Sequence, residues 1–146
     1  MKIRGLLLAV LLLPMYLPQA AVVRAQQKPE DLAQKSAEAW LALTDSGKYG
    51  ESWEQASSAF KTALTKEKWV GMLDSVRTPL GALGSRRLNT AKYTKNPPKA
   101  PEGEYVILTF DTSFEKLPSA IETVSLILDK DAQWRVAGYL IKPASE

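Results

Sequence analysis

Two stretches in the C-terminal half, Tyr105-Val-Ile-Leu-Thr-Phe-Asp-Thr-Ser-Phe114 and Ile121-Glu-Thr-Val-Ser-Leu-Ile-Leu128, decide the fold. Both are rich in β-branched and aromatic residues, which fit a pleated surface, so each predicts a strand. Asp129-Lys-Asp-Ala132 supplies turn chemistry before a third run, Trp134 to Ile141, and the last two runs predict a hairpin. Upstream, Ala82 to Thr94 predicts a long, weakly alternating strand that Gly84 can bend. The proline-rich loop Asn96-Pro-Pro-Lys-Ala-Pro-Glu-Gly103 separates it from the first stretch.

Toward the N-terminus the period changes to that of helices. Pro29-Glu30-Asp31 places a proline and two acids where a helix start favours them, Leu32, Ser36, Trp40 and Leu43 recur near helical spacing, and Gly47 closes the element. Tyr49, Trp53 and Ala56 predict a short second helix over 48–58. Thr65 is the expected cap of a third, with Trp69, Met72, Leu73 and Val76 as its buried stripe and Pro79 as its stop. Helices followed by antiparallel strands predict an α+β fold: three N-terminal helices packed on one face of a curved four-stranded antiparallel sheet.

The chain has 146 residues with no Cys and no His. Disulfides, thiolate chemistry, Cys/His zinc sites and every Ser-His-Asp or Cys-His arrangement are excluded. Its formal charge of +3 belongs to the first 25 residues, where Lys2, Arg4 and Arg24 stand without an acid. Without those three, sixteen of the nineteen basic residues remain against sixteen acidic ones, which removes the case for a nucleic-acid partner. The same segment has a cationic start, the apolar run Leu6–Leu13 and the small-residue exit Val23-Arg24-Ala25, so it predicts a signal peptide cleaved before Gln26. A periplasmic or secreted single domain over 26–146 is expected, with no stable membrane insertion after cleavage.

Alternation puts Val106, Leu108, Phe110, Thr112 and Phe114 on one face of their strand, and Glu122, Val124, Leu126 and Leu128 on one face of the next. These faces are assigned to the core. Glu122 is the odd member, because a buried carboxylate needs a cation, hydrogen-bond donors or a proton. One reading makes it an acid/base or ligand-anchoring group; the other pairs it with Arg77 or Arg86 as a structural ion pair, or lets it reach solvent at the strand end. Tyr49 and Trp53 are the candidate pocket wall, completing a ligand-binding set of Glu122, Arg77, Arg86, Tyr49 and Trp53. Arg86 and Arg87 should point to opposite faces. Asp129-Lys-Asp131 lacks the remaining ligands of a calcium loop, and no metal or cofactor is expected. No glycine-rich phosphate loop or GxSxG elbow is present.

Taken together, Trp40-Leu-Ala-Leu-Thr-Asp45 with Gly47 and Tyr49, Ser52-Trp53, Arg77-Thr-Pro-Leu-Gly81 with Arg86, Gly103-Glu-Tyr105, Phe110-Asp-Thr-Ser-Phe114, Glu122-Thr-Val124 and Trp134-Arg-Val-Ala-Gly-Tyr139 form a pattern. It resembles a family of exported bacterial proteins designated domain of unknown function 4019. Leu140 departs from it, where an aromatic is expected. The family carries no assigned activity, and its element order is similar to cystatin-like and nuclear transport factor 2-like cones. Three functions are weighed. The leading one is a non-catalytic binding or interaction domain for a small molecule or a cell-envelope protein, with a pocket between helices and sheet. The second is a cone-type isomerase or hydratase with Glu122 or Asp111 as general base and Tyr49 or Tyr139 as donor. The third is a homodimerisation module using Tyr105, Ile107 and Ile127 on the outer sheet face.

Overall fold

A computed structural model describes residues 27–144. The expected leader and its cleavage site lie outside the described residues. The architecture is α+β: helices α1 (Pro29–Asp45), α2 (Tyr49–Gln55), α3 (Ser58–Ala63) and α4 (Lys66–Arg77) precede strands β1 (Leu83–Lys95), β2 (Glu104–Phe114), β3 (Leu117–Leu128) and β4 (Trp134–Pro143). The strands form an open antiparallel meander in the order β1-β2-β3-β4. Bulges interrupt all three pairings, and such irregularities bend and twist strands. One of them is at Gly84, where a Cβ would come within 2.7 Å of the Ser113 hydroxyl.

Helix α1 starts on Pro29 with Glu30 and Asp31 in its first turn, and ends where Gly47 takes a left-handed φ of 73°. Its buried stripe is Ala33, Ala37, Trp40, Leu41 and Thr44. Leu32 is exposed and Ser36 and Leu43 are half-buried, because the two alanines, with little side chain to hold the helix off, turn toward the core instead. On α4 the buried residues are Trp69, Leu73 and Arg77, while Met72 and Val76 are exposed. That corrects the expected stripe, and the reason is Arg77, whose carboxylate partners lie inside.

The helix predicted over 48–58 ends early, and α3 is an additional helix that the sequence reading lacks. α2 ends at Gln55, the chain extends through Ala56, and Ser57 caps α3 by accepting from the Phe60 N–H. The Ser57 N–H meanwhile donates to the Val136 carbonyl at 2.8 Å. Docking on β4 thus holds Ala56 and Ser57 extended, ends α2 short of the predicted bound and sets Ser57 to start a new helix. β3 begins four residues earlier than expected, since Phe114 pairs with Leu117 across a two-residue turn at Glu115-Lys116.

The predicted inner faces are the core. Val106, Leu108, Val124 and Leu126 have no exposure, and Phe110 and Phe114 are nearly as enclosed. Above them, Trp40 meets Tyr139 edge-on at 5.3 Å and Phe60 meets Trp69 at 5.0 Å. Trp40, Trp69 and Trp134 are core residues.

Candidate functional site

At one end of the inner face four charges meet. Glu122 on β3 has 0 % exposure and sits opposite Phe110, with Ile141 on its other side. Its Oε2 accepts from Arg86 Nε at 2.5 Å and from the Thr112 hydroxyl at 3.0 Å. Its Oε1 accepts from the Tyr139 hydroxyl at 2.6 Å and from Arg86 Nη2 at 3.2 Å. Arg77 Nη1 stands 3.6 Å from Oε1 and donates to the Tyr139 oxygen at 3.2 Å. The second carboxylate is Asp45, the last residue of α1. It takes Arg86 Nη1 on Oδ2 at 2.7 Å, and Arg86 Nη2 and Arg77 Nη2 on Oδ1 at 2.9 and 2.8 Å.

Both guanidinium groups are therefore shared between both acids, and the charges cancel. Arg77 also lies over the Phe114 ring at 4.7 Å, a cation–π contact, and its Nε is buried without a hydrogen-bond partner among the described residues. Burial alone would push the Asp45 carboxyl up, but its bonds to Arg86 and Arg77 outweigh that and hold it below the ordinary value. Burial disfavours the Arg86 cation, and Asp45 and Glu122 more than restore it. The Tyr139 hydroxyl is pushed far up by burial and then by the charge of Glu122, so it stays a protonated donor.

The structure thus brings together Glu122, Arg77 and Arg86 of the predicted set and joins the two alternative ion pairs into one network. Tyr49 and Trp53 form no hydrogen bond to it. Trp53 instead donates its indole N–H to the Leu64 carbonyl at 2.7 Å, with the Lys61 ammonium 6.0 Å from its ring, which makes it a brace between α2 and the end of α3. Sequence reading missed Asp45 and Thr112. Asp45 had a signal: an acid at a helix C-terminus, with no basic residue in that turn, opposes the helix dipole and needs a cation from elsewhere.

Arg87 points away from Arg86 as expected and its exposed side chain pairs with Asp111 at 2.9 Å. Asp111 also accepts from Asn89 at 2.8 Å. Asp129 accepts from the backbone and hydroxyl of Ser58 at 2.8 and 2.7 Å, which ties the β3–β4 turn to the start of α3. Asp131 pairs with Arg135.

The outer sheet face holds a groove of about 560 Å³ between α3, the 96–103 loop and strands β2 to β4. Phe60 and Leu64 form one wall, Pro97 and Pro101 the other, and Ile107 and Gly138 contribute to the sheet side. Tyr105 and Ile127, expected on a self-association surface, are buried: the Tyr105 hydroxyl donates to the Pro101 carbonyl at 2.9 Å, and the Ile127 side chain lies 3.2 Å from where a Gly103 Cβ would stand. Glu122 does not line this groove.

The family model described as "Protein of unknown function (DUF4019)" matches residues 36–139, and the chain belongs to that family. No curated protein matches it.

Proposed function

We propose that this chain is an exported, non-catalytic binding domain acting in the periplasm or outside the cell, and that the network around Glu122 is its scaffold. The observation carrying this reading is the saturation of Glu122. A carboxylate offers about four acceptor sites, and Arg86 twice, Thr112 and Tyr139 take them in a place without solvent exposure. A general base needs a lone pair facing its substrate. The ligand or envelope partner is assigned to the groove beside α3. Export is supported by the cationic start, apolar run and small-residue exit of residues 1–25. Among the described residues, no helix is long and apolar enough to cross a membrane. We read the open sheet with its helical layer as a cystatin-like or nuclear transport factor 2-like cone, supported by the element order and the bulged strands.

The test is a turnover screen of the chain from Gln26 onward against hydrolase, isomerase and hydratase substrates. No turnover is expected. Activity that disappears in Glu122→Gln or Tyr139→Phe, with near-UV circular dichroism unchanged, overturns the reading.

A further inference from the structure

The class of ligand follows from the chemistry of the outer groove, with the binding-domain reading above as its premise. A volume of about 560 Å³ lies in the range of small-molecule sites, and the lining is dominated by aliphatic, aromatic and proline side chains. Its one charged side chain is Lys99. Lys95, nearby in sequence, pairs with Glu104 at 3.2 Å, whereas Lys99 has no carboxylate within ion-pair distance among the described residues. Lys99 also has a left-handed φ of 64°, at the third position of a turn in which the Ala100 N–H reaches the Pro97 carbonyl at 3.4 Å. Gly or Asn takes that position without strain; a lysine held there sets an unpaired cation beside an apolar trough.

We propose that the groove binds a single-chain fatty carboxylate, its alkyl chain along Phe60, Leu64 and Ile107 and its head group at Lys99. Apolar burial supplies the affinity, and the lone cation selects the sign of the head group. Gly138 keeps the trough open. A Cβ built there meets only Ser125, at 3.7 and 3.9 Å, so a larger side chain is compatible with the backbone and would occupy ligand space.

The experiment is isothermal titration calorimetry on the chain from Gln26 onward, with dodecanoate below its micelle concentration. Octanoate, dodecyl maltoside and dodecyltrimethylammonium are the comparisons. Saturable one-to-one binding of dodecanoate is expected, weakened about fourfold for each methylene removed, with the maltoside about fivefold weaker and the cationic amphiphile weaker still. Gly138→Leu should weaken dodecanoate more than about tenfold by excluding methylenes, and Ala63→Phe should do the same from α3 if the first variant does not fold. Lys99→Gly relieves the left-handed strain, so it should keep or raise the melting temperature while weakening dodecanoate about fivefold and leaving the maltoside unchanged. No saturable dodecanoate binding, or binding indifferent to both filling variants, overturns the assignment. Equal affinity for all three dodecyl head groups overturns the anionic class alone and leaves the binding-domain reading, which the turnover screen decides, in place.

Discussion

Arg86 divides its planar fork between two carboxylates, with three nitrogens making four hydrogen bonds to Asp45 and Glu122. Removing it leaves two acids facing one remaining guanidinium. Arg86→Ala should therefore cost about 3–5 kcal/mol in urea unfolding, the range for breaking a buried pair on one side. Arg86→Lys should recover less than half of that, since an ammonium cannot span both carboxylates. The pH response has a defined sign. Asp45 has a folded pKa below its ordinary value of 3.8, so its stabilising contribution is complete above about that pH and drains as the pH falls through the lower folded value. Asp45→Asn should be less stable at neutral pH and should show a flatter loss of stability below about pH 4, read by urea midpoints across pH. Glu122 was legible because one acid interrupts an aliphatic alternation. Asp45 was hidden because charges are ordinary on a helix, and only the direction of the dipole marks this one as out of place.

At the scale of elements, Ser52 joins three helices. Its carbonyl accepts the Trp40 indole N–H at 2.8 Å, and its hydroxyl accepts that of Trp69 at 2.9 Å. Ser52→Ala spares the first bond and strands the second donor in the core. The expected loss is about 1–3 kcal/mol, seen as a lower melting temperature with unchanged far-UV circular dichroism. Helix α3 depends on a distant turn: hydrogen bonds from the Ser58 hydroxyl and backbone hold the Asp129 carboxyl at about 2, below its ordinary 3.8. Stability from this clasp is complete above about pH 4 and is lost toward pH 2. Asp129→Ala should remove that part of the acid response and speed amide hydrogen exchange in α3 relative to α1. The strands were readable from period and composition because each is a local pattern with a buried side. The break between α2 and α3 was not, since it depends on a bond from Ser57 to Val136, far along the chain and silent in local propensity. The early start of β3 was missed for a related reason: Glu115-Lys116 lacks the glycine or asparagine that usually announces a tight turn.

For the whole molecule, the chain beyond the expected leader has equal numbers of basic and acidic residues. With Tyr105 and Ile127 covered by the 96–103 loop, little of the apolar patch expected for self-association remains on the outer face. We expect sedimentation equilibrium to give the mass of one chain; a dimer that dissociates in Ile107→Lys would restore the dimerisation reading. The layer order was legible from the switch in period near Gly81, but the filling of the helix–sheet interior was not, because it depends on how far Trp40, Trp69 and Tyr139 reach toward one another. The two borders of the meander also differ. Part of β4 is occupied by Ser57, whereas among the described residues β1 pairs only with β2 along its thirteen residues and carries Arg86, Arg87, Lys92 and Lys95 without a single acid. Arg86, Arg87 and Lys95 are already paired with carboxylates, so Lys92 is the edge charge of this strand that a second copy approaching through β1 would meet as its like, a local obstacle to strand-on-strand pairing. From Gln26 onward the formal charges balance, which leaves little overall repulsion to keep copies of that segment dispersed, so this local obstacle carries more of that task.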